Sequence, residues 1–252
     1  MAAVHIPCYV INLRADIAKR NRMKAALAGH TINPIFFDAI DGRSLSEADL
    51  DRHLSRQLLT QEYGVMSPGE VGRALSHLAI YRDIVQRGLD MAVILEDDVC
   101  IADEFGELLD TSSSFGLSGV LSNVHPEMLQ LTRVSRGYRF TAKQLLSDRA
   151  AIRPAGSVWL ASGYMINQAG ARSLSKSLYP IWTVADHWSR FQEKGLIRLW
   201  SVTSPVVWEP EQARVSRPAA ARMPREGQEK TIFQRVCRVG HGIMHPVLTR
   251  SL

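Results

Sequence analysis

The apolar run Met91-Ala92-Val93-Ile94-Leu95 passes directly into three consecutive carboxylates, Glu96, Asp97 and Asp98. A short apolar run that includes Val93 and Ile94 and follows the turn residue Gly88 predicts a buried strand. Three acids side by side at the exit of such a strand repel one another unless something cationic sits among them. Because residues two apart on a strand share a face, Glu96 and Asp98 should point one way and Asp97 the other. Hard oxygen ligands at a strand end suit Mg²⁺ or Mn²⁺, which proteins hold through one or two carboxylates plus a substrate diphosphate. A solvated acidic turn is the plainer alternative.

Around that strand the chain alternates strand and helix. Cys8–Leu13 reads as a first strand, followed by a basic helix from about Asp16 to Leu27. Pro34–Ile40 reads as a second strand, ended by the turn pair Asp41-Gly42. One or two short helices fit Ser44–Tyr63. Ser67-Pro68-Gly69-Glu70 is a helix start, with Ser as cap, Pro in the first turn and Glu three residues after the cap. Leu75, Leu78, Ala79 and Val85 carry an apolar stripe along that helix until Gly88 ends it. Later, Met128–Val134, Trp159–Ile166, Leu196–Val202 and Val206–Trp208 are strand-like, and Ala169–Leu178 is helical. Alternation of this kind predicts an α/β fold with a mostly parallel central sheet, whose ligands bind at the carboxyl ends of the strands.

No stretch approaches the about 20 apolar residues of a membrane helix. The amino terminus lacks the basic region and apolar core of a secretory signal. Cys8, Cys100 and Cys237 are widely spaced and odd in number, as expected of free thiols in a reducing compartment. The expected location is therefore cytoplasmic. The net charge of +5 is uneven: from Ala213 onward, eight Lys or Arg face only Glu226 and Glu229, a net of +6 that leaves −1 for the rest. Such a tail suits an anionic membrane surface, or else is simply solvated. With Phe233 as its only aromatic and no recognised binding module, nucleic acid is not the expected partner.

Taken in order, Val10-Ile11-Asn12-Leu13 with Arg20, Phe37-Asp38-Ala39 with Asp41-Gly42, and Gly69-Glu70-Val71-Gly72 with Ser76-His77 form a recognisable set. Val93–Val99, Ser162-Gly163-Tyr164-Met165-Ile166 with Gly170-Ala171, and Asp186 complete it. The set resembles glycosyltransferase family 25, which includes bacterial lipooligosaccharide galactosyltransferases and collagen galactosyltransferases. The resemblance runs from about Tyr9 to Pro205. It implies a GT-A-like nucleotide-sugar fold over residues 1–212, with 213–252 as the basic tail, and a UDP-sugar donor with Mn²⁺ or Mg²⁺. It further implies transfer of a hexose, galactose foremost, with inversion, to a glycan or glycolipid acceptor such as the lipopolysaccharide core. One departure is plain: many members carry Cys where this chain has Arg73, which would add a phosphate contact if it faced the donor site but is expected to face solvent.

The resemblance and the chemistry together assign roles. Breaking a bond to a diphosphate requires neutralising the charge that develops on it, which a carboxylate-held metal does. Asp98 is the expected metal ligand. Glu96 and Asp97 are expected to contact ribose and sugar hydroxyls or a metal-bound water, which places Asp97 among the catalytic groups. Asn12 and Arg20 lie where nucleotide recognition would occur, Arg20 being suited to phosphate or else an ordinary surface charge. Asp38 and Asp41 are expected to hold uridine or ribose, although an Asp-x-x-Asp-Gly turn needs no function. Glu70 is expected to complete a capping box. Ser76 and His77 would line the donor pocket, the alternative for His77 being a satisfied core histidine. Gly163 and Tyr164 are expected to wall the sugar, glycine permitting close approach. Asp186, followed by His187 and Trp188 in a polar break where sugar rings would stack on aromatics, is the candidate base for the acceptor hydroxyl, or alternatively a helix cap.

Competing classes fit less well. A receiver domain would need a phosphoacceptor Asp and a Lys at later strand ends. A serine hydrolase would need a Gly-x-Ser-x-Gly elbow, and a two-metal nuclease a second acidic cluster. A non-catalytic relative that binds nucleotide sugar or glycan stays open. The donor sugar, the linkage and the oligomeric state are not legible.

Overall fold

Apolar strands bounded by turn residues assemble side by side when helices cover both their faces, and this chain does so. The computed structural model describes residues 6–110, 116–210 and 248–249. In chain order, β1 (Cys8–Asn12), α1 (Ile17–Ala28) and β2 (Ile35–Asp38) are followed by α2 (Glu47–His53), α3 (Arg56–Glu62) and α4 (Pro68–Gln86). Then come β3 (Met91–Glu96), β4 (Cys100–Ile101), α5 (Phe105–Leu109), α6 (Leu117–Val120), β5 (Glu127–Gln130), β6 (Gly137–Leu146) and β7 (Arg149–Pro154). The remainder is β8 (Gly163–Asn167), α7 (Gln168–Ser177), α8 (Trp188–Glu193), β9 (Arg198–Val202), β10 (Val207–Trp208) and β11 (Leu248–Thr249).

Among the described residues the main sheet has nine strands in the order β11-β6-β7-β9-β5-β8-β3-β1-β2, and β10 pairs with β4 in a separate ribbon. β1 is parallel to both β2 and β3, and β5 is parallel to β9. β8 runs antiparallel between β3 and β5. Following the pairings across the sheet, six of the nine strands point one way, and β8, β7 and β11 point the other. The fold is thus α/β with a large, mostly parallel central sheet, as the sequence predicts.

Alternation along the strands sorts the core into two layers. Tyr9, Ile11, Ala92, Ile94, Met128, Tyr164 and Ile166 pack against α4, α7 and α8. Cys8, Val10, Val93, Leu95, Leu129 and Met165 pack against Met23 and Leu27 of α1 and against α5 and α6. With both faces covered, the central strands are continuous apolar runs rather than alternating ones. Burial pushes the Cys8 thiol up to about 12, so it is an inert filler of this layer.

α4 starts as its sequence dictates. The Ser67 hydroxyl accepts from the Glu70 amide, and the Glu70 carboxylate accepts from the Ser67 amide at 2.7 Å and from the Tyr63 hydroxyl at 3.1 Å. Gly88, at φ +66°, turns the chain out of the helix toward β3. α4 also packs very closely on the turn after β2. A Cβ on Gly72 would lie 2.4 Å from the Ile40 carbonyl oxygen and 2.5 Å from the Gly42 amide nitrogen.

Two departures from the expected elements have local causes. β8 begins at Gly163 rather than Trp159, because Leu160 takes φ +76° and breaks the extended run. The β6–β7 hairpin is absent from the sequence reading, since β6 shows no clean alternation of buried and exposed residues. The expected boundary at 212/213 and nearly all of the basic tail lie outside the described residues. The exception is Leu248–Thr249, which pairs antiparallel with β6 at the sheet edge. Among the described residues, no helix is long and apolar enough to cross a membrane.

Candidate functional site

The carboxyl ends of β1, β2, β3 and β5 share one rim of the sheet, and antiparallel β8 starts there. Asn12 sits opposite Asp38 across β1 and β2, and Leu95 sits opposite Gly163 across β3 and β8. Glu96, Asp97 and Asp98 emerge on this rim.

Glu96 ends β3, and Asp97 and Asp98 already lie in the turn that follows, so their side chains diverge. Glu96 turns to the α4 side, where it accepts from Arg73 Nε and lies 3.6 Å from His77 Nε2. Asp97 turns to the α1 side, accepting from Asn12 Nδ2 at 2.7 Å and from Lys19 Nζ at 3.1 Å. Arg22 clamps the turn itself, donating to the Asp97 carbonyl at 2.6 Å and the Val99 carbonyl at 3.2 Å. Asp98 differs from its neighbours: its Oδ1 is buried with no hydrogen-bond partner. Burial, then the charge of Glu96, raises its carboxyl above the ordinary range, with Lys19 pulling the other way.

On the α4 side, Arg73, His77 and Tyr81 lie four residues apart along one helix face. The Arg73 guanidinium bridges Glu96 to Asp186, with Nη1 3.5 Å from Asp186 Oδ2. Burial alone would lower Arg73 and raise Glu96. The attraction between them prevails, keeping the guanidinium protonated and bringing the Glu96 carboxyl down to about 2. Burial lowers His77, favouring the neutral ring. Its Nδ1 is 2.7 Å from the Tyr164 hydroxyl, which lies 2.8 Å from that of Tyr81. Behind the acids, therefore, is a rigid and fully buried His–Tyr–Tyr relay.

Asn12, Glu96, Asp97, Asp98 and Asp186 come together in this region, and His77 supports them from beneath. Arg20 and Asp38 stay on the same rim but pair with each other at 3.1 Å, and Arg20 lies 4.4 Å above the Phe36 ring. Asp41 caps the short 3₁₀ turn Gly42–Ser44 and binds Arg43 at 2.8 Å.

Several expected contacts are corrected by packing. Ser76 does not line a pocket: its hydroxyl donates to the Gly72 carbonyl at 2.7 Å and accepts from the Ile40 amide at 2.9 Å, tying α4 to the turn after β2. Tyr164 is fully buried, so it cannot wall a sugar. The close approach at Gly163 is made by Val207, whose side chain would lie 2.6 Å from an added Cβ. Arg73 faces the acids rather than solvent. The helix-cap reading of Asp186 fails, because His187 occupies the cap position of α8 and no side chain caps it.

Sequence reading missed Lys19 and Arg22, and gave the inward aim of Arg73 only as an alternative. Helical spacing carried the signal for Arg73, four residues before His77. Lys19 follows the α1 cap Asp16 by three residues, which places it one turn from the β1 exit.

Glycosyltransferase family 25, described as an LPS biosynthesis protein, matches residues 5–188. The chain belongs to this family. It is 37% identical over 107 residues to inactive glycosyltransferase 25 family member 3 of Mus musculus, covering 40% of this chain and 18% of that protein. It is 30% identical to the probable inactive member 3 of Bos taurus, over 67% of this chain and 28% of that one. With procollagen galactosyltransferase 2 of Homo sapiens the identity is 25%, over 66% of this chain and 26% of the relative. The chain thus spans less than a third of these relatives' lengths. Among solved structures, mannose-1-phosphate geranyltransferase of Thermus thermophilus matches at 11% identity and TM-score 0.29, over 78% of this chain and 73% of that one, too slight a likeness to bear on the fold.

Proposed function

We propose that this protein is a glycosyltransferase that takes a hexose, galactose foremost, from a UDP-sugar and passes it with inversion to a glycan or glycolipid acceptor. Galactose is suggested by the procollagen galactosyltransferase relative, and a lipopolysaccharide-type acceptor by the family's description. The carrying observation is the uneven neutralisation of the acidic triplet. Glu96 has Arg73 and Asp97 has Asn12 and Lys19, whereas Asp98 keeps a buried oxygen without a partner.

A buried carboxylate with a free lone pair and a disfavoured charge fits Mn²⁺ or Mg²⁺. Among the described residues no three His, Cys, Asp or Glu side chains converge as an all-protein cage. A single carboxylate is enough where a substrate diphosphate completes the coordination. Asp98 would hold the cation, which supplies Lewis acidity at the departing diphosphate.

The other residues act by position and charge. Lys19 brings a positive charge to the same rim, and Asn12 offers a buried, unpartnered Oδ1 to a ligand hydroxyl. Glu96, fixed from behind by Arg73 and His77, accepts hydrogen bonds from sugar or ribose hydroxyls. Asp38 and Arg20 border the nucleotide end beside Asn12. Asp186 takes the proton of the acceptor hydroxyl as that oxygen attacks the sugar carbon opposite the leaving UDP.

Differential scanning tests the donor assignment. UDP with Mn²⁺ should raise the melting temperature of the wild type and not of Asp98→Asn, because a ligand that binds only the folded state stabilises it. A shift of equal size in both would remove Asp98 from the metal site.

A further inference from the structure

Next to Asp186 in the chain, His187 belongs to a partly exposed aromatic stack that the donor site does not use. Trp159 is 43% exposed, whereas Trp188, which follows His187, is fully buried. The Trp159 indole lies flat on the His187 imidazole, with centroids 4.6 Å apart and planes 15° apart. Tyr63 meets the imidazole edge-on at 6.1 Å. Thr183 Oγ1, 2.8 Å from His187 Nδ1, sets the ring's orientation.

The backbone that presents Trp159 is strained and pinned. Leu160 has φ +76°, a conformation that costs a branched residue free energy and persists only when its surroundings enforce it. Three side chains do so. Gln130 Nε2 donates to the Leu160 carbonyl at 2.8 Å, Trp188 Nε1 donates to the same oxygen at 3.0 Å, and Ser189 Oγ accepts from the Val158 amide at 2.7 Å. They come from β5 and α8, so two separate elements fix a loop whose outcome is an outward-facing indole.

The platform is joined to the proposed base through the chain. His187 follows Asp186, Asp186 lies 3.5 Å from Arg73 Nη1, and Arg73 binds Glu96. We propose that Trp159, backed by His187, is the acceptor subsite: the apolar C–H face of a hexopyranose ring stacks on the exposed indole and brings a hydroxyl of that sugar to Asp186. A flat, rigid aromatic face offers large contact area at little entropic cost, and a pyranose presents matching C–H bonds on one face with hydroxyls around its rim. The acceptor role rests on the glycosyltransferase reading, whereas sugar binding at Trp159 can be read without it.

The test uses ¹⁵N-labelled full-length protein, whose indole N–H resonances are followed by NMR; Trp159→Phe assigns the Trp159 signal. The probes are methyl α- and β-glycosides of galactose, glucose, N-acetylglucosamine and mannose. At least one should shift the Trp159 resonance saturably. Trp159→Ala should weaken that glycoside's binding tenfold or more, and Trp159→Phe by less. A UDP and Mn²⁺ melting shift retained in Trp159→Ala certifies that the variant is folded with its donor site intact. If no glycoside moves the Trp159 signal, or if Trp159→Ala binds as the wild type does, the subsite is overturned. If glycosides bind at Trp159 but UDP fails to shift the wild type, the platform stands as a sugar site and the transferase reading falls.

Discussion

Asp98 carries opposite consequences for stability and for function. Its carboxyl is raised in the folded state, so its contribution to stability is complete below the unfolded value of about 3.9 and is lost as pH rises through the folded value. Without metal, Asp98→Asn should therefore melt higher than the wild type at pH 7, with the gap narrowing toward pH 4. A lower melting temperature for the variant at pH 7 would show that the charge is already compensated. Asp186 separates differently. As the base, Asp186→Asn should reduce transfer by about 10²-fold or more while leaving the UDP-dependent melting shift unchanged. Unimpaired transfer would exclude that role, and since the cap position of α8 is His187 and not Asp186, loss of a helix cap does not compete as an explanation.

α4 organises the site at the scale of elements. Its capping box fixes where it starts, Ser76 and Gly72 dock it on the turn after β2, and the Arg73–His77–Tyr81 face reaches β3 and β8. Gly72→Ala places a methyl against two backbone atoms at 2.4 and 2.5 Å, which cannot give way as a flexible side chain would. Its expected cost is about 2 kcal/mol, the range for overpacking a filled contact. For a protein of this size that is a fall of roughly 4–8 °C in melting temperature. Gly69→Ala, three residues earlier and open to space within 4 Å, is the matched control and should be neutral or mildly stabilising. Equal effects of the two would mean that the glycine contact does not position α4. These elements were legible because their signals are local: Ser-Pro-x-Glu writes a helix start, and an apolar run after Gly88 writes a strand. The β6–β7 hairpin was not legible, because its ten-residue first strand alternates too loosely to reveal a face. Gly163 and Tyr164 misled for a related reason: a glycine that admits Val207 and a tyrosine that closes a buried relay look, as letters, like residues that line a ligand.

The whole molecule turns on inserting one antiparallel strand, β8, between β3 and β5. That insertion brings the β8 start to the rim where β1, β2, β3 and β5 end, so the Leu160 turn just before it is held from below by Gln130 at the end of β5. It thereby unites the acids, read directly from sequence, with an aromatic platform for which the sequence pointed to His187 and Trp188; His187 is part of it, but Trp188 is buried and Trp159 provides the exposed face. Sequence shows that acids follow a strand; only the fold shows that Glu96 and Asp97 are neutralised and Asp98 is left over. The most direct measurement is UDP release from a panel of UDP-hexoses, UDP-galactose first, with Mn²⁺ present and absent. The wild type should release UDP from at least one of them only when the cation is present, and Asp98→Asn should release it at the blank rate. Cation-independent release by the wild type, equal release by Asp98→Asn, or no release from any donor would contradict metal-assisted transfer at this rim.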